Sequence, residues 1–262
     1  MTTITAPRRA LAPFTEESVF IGRSLKHSLR NTEALLMSIL LPVMLMLVFT
    51  FVFGGAIESD GSYVNYVVPG IILLCAGFGA SSTAVDVATD MQTGIIDRFR
   101  TMPIRSWAVL TGHVVASLVR NLVATGVVIG VALLVGFRPA ASPIEWLAAI
   151  GIVALYILAI TYLFAAIGLA SRSAEAANGY GFILLFVPYL SSAFVPVDSM
   201  PVWLQWIAQN QPVTPIIETI RGLLMGTEMG SSPALAIGWC LLILVIAIIW
   251  GSVTFRRKAG RR

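Results

Sequence analysis

Six stretches of this chain are long, apolar and almost empty of charge, and no other feature constrains its fold so tightly. Residues 34–57, 61–85, 146–171, 176–197 and 229–255 carry no charged side chain, and 112–137 carries only Arg120. A helix needs about 20 consecutive apolar residues to cross the hydrocarbon core of a bilayer. Each stretch is long enough. The chain is 57% hydrophobic and 11% charged, with a mean hydropathy of +0.88, whereas a water-soluble domain carries about a quarter charged residues. The expected fold is all-α: a polytopic membrane protein whose residues 1–262 form a single transmembrane domain. Its spans are expected at about 34–56, 63–88, 109–135, 145–170, 176–195 and 234–254. Residues 199–217 are also free of charge, but their prolines argue against a straight span.

The basic residues fall on alternate loops. Arg8, Arg9, Arg23, Lys26 and Arg30 precede the first span, Arg98, Arg100 and Arg105 lie between the second and third, and Arg172 lies between the fourth and fifth. Arg256, Arg257, Lys258, Arg261 and Arg262 follow the sixth, while the opposite loops hold only Arg138 and Arg221. Cytoplasmic loops retain Lys and Arg, so this pattern predicts that both termini are cytoplasmic. The net charge of +4 thus follows the membrane rather than a nucleic-acid surface. The opening is short and polar and the first apolar run is of full length, whereas a cleaved signal peptide has a shorter apolar region followed by a small-residue cleavage site, so none is expected.

Several chemistries lack their residues. Cys75 and Cys240 lie within apolar spans and act there as small hydrophobes; with only two histidines, His27 and His113, no metal site is expected. A phosphate-binding loop needs Gly-Lys followed by Ser or Thr, but the only lysines, Lys26 and Lys258, follow Leu25 and Arg257. The chain is expected to bind no cofactor of its own and to hydrolyse no ATP. An intramembrane hydrolase would need a nucleophile and base at one depth, yet Ser81 and Ser82 have no histidine beside them. An ion-coupled secondary transporter would carry polar groups and broken helices at mid-bilayer; only Arg120 and Asn121 approach that.

Between the spans, three segments carry information. Residues 14–32 read as an amphipathic interfacial helix, with Phe14, Ile21, Leu25 and Leu29 on one face and Arg23, Lys26, His27 and Arg30 on the other. The inner segment 90–107 places Ile95, Ile96, Phe99 and Met102 at helical spacing, turns Asp97, Arg98 and Arg100 elsewhere, and ends at Pro103. Such a helix can dock into a partner's groove or rest at the headgroups. The outer segment 196–232 is too long for a turn. Pro201 can open one helix carrying Trp203 and Trp206, Pro212 and Pro215 mark a break, and a second helix is expected from about 216 to 225. The pair can dip into the outer leaflet or lie flat on it. Glu218 and Arg221 stand at a spacing that permits a local salt bridge.

Two further features concern the spans themselves. Pro42 falls inside the first, where Met37, Met44, Met46, Phe49, Phe51 and Phe53 offer adaptable apolar surface. The second carries Gly70, Gly77, Gly79, Ala80, Ser81 and Ser82, small residues suited to close helix packing. Asp86 and Arg120 are the intramembrane charges. They can pair with each other, or Arg120 can snorkel to the inner surface.

The stretches TGIIDRFRTMPIRSWAVLTGHVVASLVRN (93–121) and MPVWLQWIAQNQPVTPIIETIRGLLMG (200–226) resemble the membrane subunits of type-2 ABC exporters, in particular the bacterial daunorubicin-resistance permease group. The resemblance covers essentially the whole chain. It implies a permease in the plasma membrane of a bacterium, paired with a second copy of itself or a related permease. A separate ABC ATP-binding subunit would bind ATP and Mg. It further implies that Gly94, Ile95, Ile96, Asp97, Arg98, Phe99, Arg100 and Pro103 form a coupling helix docked on that ATPase. In many members the acidic position before this helix is Glu; here Asp90 is the nearest acid. Trp203, Trp206, Pro212, Pro215, Glu218 and Arg221 would belong to an outer helix pair that closes the path. Contacts with membrane lipid and a lipophilic small molecule are expected, with a lipid-linked glycan as the alternative cargo.

Overall fold

The computed structural model describes residues 32–57, 63–93 and 106–259. The expected interfacial helix (14–32) and the coupling residues Gly94, Ile95, Ile96, Asp97, Arg98, Phe99, Arg100 and Pro103 lie outside them, apart from Thr32 itself. Among the described residues every regular element is helical. The α-helices longer than two turns among the described residues are α1 (Thr32–Leu47), α2 (Tyr63–Gln92), α3 (Ser106–Val135), α4 (Pro143–Ala170), α5 (Ala174–Leu184), α6 (Val202–Asn210), α7 (Val213–Met225) and α8 (Ser232–Ala259). After α1 the chain continues as a π-helical stretch, Val48–Phe53, and a last turn, Gly54–Ile57.

Among the described residues, five helical runs are long and apolar enough to cross a membrane: Leu36–Ala56, Tyr63–Gln92, Gly112–Val135, Pro143–Ala170 and Ser232–Phe255. This is a multi-pass membrane protein. α2 is its axis, packed against α1, α3, α4 and α5, and its residues from Val67 to Ala76 are almost wholly buried. Small residues allow that density. A side-chain carbon on Gly70 would come within 2.7–2.9 Å of Ala193, and one on Gly168 of α4 would run into the Ala84 backbone of α2. α4 opens on a capping box: Ser142 and Glu145 each bond the other's backbone N–H, with Pro143 in the first position. That arrangement satisfies two end donors and starts the helix two residues before the span expected from hydropathy.

The fifth expected span, 176–195, is not one helix. α5 ends at Leu184, a 3-10 turn runs from Val187 to Leu190, and irregular chain follows. At about 1.5 Å per residue, the 11 residues of α5 reach roughly half of the ~30 Å hydrocarbon core. Pro188 is the cause, since it brings no N–H and its ring clashes with the carbonyl four residues earlier. The chain still passes from one end of the bundle to the other here. Arg172 lies beside Gln92, whose amide donates to its carbonyl at 3.4 Å. Twenty residues later Ser192 lies beside Tyr66, at the opposite end of α2. Five continuous helices and one broken passage replace the six even spans expected. The end near Gln92, where α2 leaves and α3 enters, is called the root end below, and the end bearing α6 and α7 the hairpin end.

Candidate functional site

Polar groups gather at three levels. The first lies inside the bundle, where α3 crosses α2. Arg120 is 6% exposed; its Nη2 donates to the Gly79 carbonyl at 3.0 Å and to Ser82 Oγ at 2.6 Å. Thr83 Oγ1 donates to Ser117 Oγ at 2.9 Å, and the Asn121 amide donates to the same oxygen at 3.3 Å. A side-chain carbon on Gly79 would fall on the Asn121 amide. The missing side chain at 79 is therefore the space that Asn121 fills. The guanidinium ends on α2 rather than reaching for the membrane surface, and Asp86, one turn beyond Ser82, acts on it electrostatically. Two continuous helices are joined here by hydrogen bonds that hydrocarbon cannot compete for.

The second level is the hairpin end. α6 and α7 differ sharply: Val202, Trp203 and Trp206 are each at least 70% exposed, while α7 buries Val213, Thr214, Pro215, Ile216, Ile217, Thr219, Ile220, Gly222 and Leu224. Pro201 stands just before α6 instead of opening it, and α7 begins at Val213, three residues earlier than expected. Pro212 caps α7 and Pro215 sits in its first turn, where a missing N–H leaves no helical bond unmade. Gly226, at φ 73°, takes the left-handed conformation that ends α7.

Arg221 does not close the expected local bridge to Glu218. Its Nη2 donates to the carbonyls of Tyr66 at 3.1 Å and Ser192 at 2.7 Å, and its guanidinium lies 3.8 Å from the centre of the Tyr66 ring. Glu218 instead accepts from Ser232 Oγ at 2.8 Å. The Tyr63 hydroxyl donates to the Phe194 carbonyl at 2.7 Å, the Tyr66 hydroxyl to Ser192 at 3.0 Å, and Gln211 Nε2 to Leu190 at 2.6 Å. Carbonyls freed by the broken passage thus find donors on α2, on α7 and in the turn between α6 and α7. Phe49 stacks on Phe194 at 4.2 Å, and Phe194 on Tyr189 at 5.1 Å, which ties the π-helical end of α1 to the same place.

Sequence reasoning missed the bonds of Tyr63 and Tyr66 to the fifth passage. The available signal was Pro188 followed by Ser191 and Ser192, a proline inside an apparent span with two small polar residues after it. Of the first-span residues, Met46 is fully buried and Phe49 packs inward, while Met37, Met44, Phe51 and Phe53 are exposed.

The third level is the root end. His113 Nε2 lies 3.0 Å from Asp90 Oδ2, joining α2 to α3 near the ends between which the expected coupling residues fall in sequence. Among the described residues no three His, Cys, Asp or Glu side chains gather as metal ligands, and both cysteines are free and buried.

Residues 16–225 match the ABC-2 type transporter family. The chain belongs to that family. It is 29% identical over 191 residues to a daunorubicin resistance ABC transporter permease protein of Streptomyces coeruleorubidus, covering 72% of this chain and 68% of the relative. Over 240 residues it is 26% identical to a probable doxorubicin resistance ABC transporter permease protein of Mycobacterium tuberculosis, covering 91% of this chain and 87% of the relative. A probable multidrug ABC transporter permease of Escherichia coli is 25% identical over 210 residues, 75% of this chain and 53% of that protein. The match spans α1 to α7 and therefore all three polar levels of this ABC-2 member.

Proposed function

We propose that this chain is the membrane subunit of an ATP-driven exporter that moves a lipophilic drug, antibiotic or lipid out of the cytoplasm or inner leaflet. The family match over residues 16–225, with relatives named as daunorubicin and doxorubicin resistance permeases, is the observation that carries the reading. A separate ABC subunit binds ATP and Mg and performs the hydrolysis, and a second permease, identical or related, completes the path. The root end faces the cytoplasm of a bacterial cell, because fourteen of the 17 Lys and Arg lie on its loops and on the two termini.

The polar geometry fits this work. Residues Gly94 to Pro103 leave α2 and return into α3, and those two helices are fastened to each other by Asp90–His113 and again by Arg120 and Ser82. A push on the coupling segment enters both helices together. At the far end Trp203, Trp206, Pro212, Pro215, Glu218 and Arg221 shape the exit, with α7 seated in the bundle and α6 against the surrounding membrane.

The deciding experiment is at the coupling segment. Losing a buried aromatic anchor costs an interface about 2 kcal/mol or more. Phe99→Ala, or Asp97 and Arg98 reversed in charge, is expected to leave the protein inserted while weakening co-purification with the ATPase or abolishing substrate-stimulated hydrolysis. Normal export by these variants, or export with no ATPase present, would sink the proposal.

A further inference from the structure

At the hairpin end a cavity of about 380 Å³ opens between α3 and α4. Its lining includes Ile72 of α2, Thr125 and Gly126 on one wall, Trp146 and Ile150 on the other, and Leu224 of α7. The volume is that of a small-molecule site. Both walls pack firmly on α2 and more loosely on each other, so the opening faces sideways, with Gly126 and Ile150 at exposed positions.

Gly126 is the unusual wall residue. A glycine inside a helix costs about 1 kcal/mol relative to alanine, and close approach by a neighbour usually explains it. Here a side-chain carbon would meet nothing within 4 Å. Beside it the buried Thr125 hydroxyl has no nitrogen or oxygen partner, only the Cys75 thiol within reach. The site is greasy, open and unfilled by the chain itself. In a membrane the adjoining medium is hydrocarbon, and an apolar void next to it forfeits dispersion contacts until a chain enters.

The neighbouring loop supplies a charge. Leu224, in the lining of the cavity, accepts a bond from Ala140 N at 3.0 Å, which brings the 136–142 loop beside it. That loop carries Arg138. Its Nη1 donates to the Leu133 and Phe137 carbonyls at 2.8 and 3.0 Å, and it has no carboxylate partner among the described residues. Five N–H donors on one guanidinium leave others for a phosphate.

We infer that this groove is a lipid site: it holds one acyl chain of an anionic phospholipid from the leaflet at the hairpin end, with the phosphate at Arg138. The inference does not depend on what the protein exports. It is tested on the full-length chain in detergent, offered equimolar phosphatidylglycerol and phosphatidylcholine and examined by native mass spectrometry. The wild type is expected to retain phosphatidylglycerol. Gly126→Leu, which fills the groove and improves the helix, is expected to lower retention about tenfold, the effect of one lost anchor, with an unchanged or higher melting temperature. Arg138→Gln is expected to keep lipid but lose the preference for phosphatidylglycerol, again about tenfold. Equal retention by wild type and Gly126→Leu overturns the site, as does expulsion of the lipid by added daunorubicin, which would make the groove a cargo site. An unchanged preference in Arg138→Gln overturns the headgroup assignment.

Discussion

Two arginines are sunk into this protein, and they are held in opposite ways. Arg120 sits between two unbroken helices, and the carbonyl it reaches, that of Gly79, also accepts from Ser82 Oγ at 2.9 Å. Arg221 sits beside a helix that has come apart, and it ties the Ser192 carbonyl, which also accepts from the Tyr66 hydroxyl, to the Tyr66 carbonyl of α2. Around Arg120 the backbone is already satisfied and the guanidinium adds a bond between helices. Around Arg221 the carbonyls of the broken passage have no helical partners, and the guanidinium shares them with two tyrosine hydroxyls. A buried charge can thus be an addition to a finished structure or a component without which the structure is unfinished. Its sequence neighbours do not say which.

Stability measurements separate the two roles. Arg221→Leu is expected to be the most damaging single change, at about 3 kcal/mol, since bonds to charged groups contribute about 1.5–3 kcal/mol each and this side chain makes two of them, to carbonyls on two different elements. Arg221→Lys should recover only part of it, because a point charge cannot span two acceptors as a planar fork does. Denaturant unfolding in detergent reads both, and an unaltered midpoint in Arg221→Leu would remove the distinction drawn above.

Next in size comes Gly79→Val, which forces carbon into the place of the Asn121 amide and should cost about 1–3 kcal/mol. Adding Asn121→Ala to it should return most of that loss; a double variant as unstable as the single would mean that the close approach lies elsewhere. Arg120→Leu is expected to cost less, about 1 kcal/mol, because Gly79 keeps its bond from Ser82 and an apolar residue enters the membrane more readily. Combining it with Asp86→Leu should restore export beyond the single variant if the two charges are coupled, which transport assays in vesicles can decide. The smallest effect is that of Tyr63→Phe, which deletes one bond to Phe194 and should lower stability by about 1 kcal/mol. A loss as large as that of Arg221→Leu would place the weight of the broken passage on α2 instead.

Most of the fold could be read from the residues because membrane insertion is decided locally. A charge-free run of about twenty residues that no break interrupts gives a span, and the runs corresponding to α1, α2, α3, α4 and α8 became helical within a few residues of their expected limits. The fifth failed for the complementary reason. Residues 176–195 are free of charge too, but whether Pro188 breaks a helix or only bends it depends on donors supplied by Tyr63, Tyr66, Gln211 and Arg221, which lie far away in sequence. Pro42 and Pro69 stay inside continuous helices. The small residues of α2 were legible as packing surface, yet their partners were not: nothing at Gly79 announces Asn121. Asp86 and Arg120 were visible as an expensive pair of charges, whereas Glu218 and Arg221, three apart, suggested a bridge that burial and competing acceptors redirected.

The fit of Asn121 against Gly79 also dictates an order of change over generations. Position 79 can gain a side chain only in a lineage where position 121 has already lost its amide, whereas 121 can shrink first and leave nothing worse than a gap. Descendants of this protein therefore have one passable route through these two sites and one that is closed, and a survey of natural variants should find a bulky residue at 79 only together with a small one at 121.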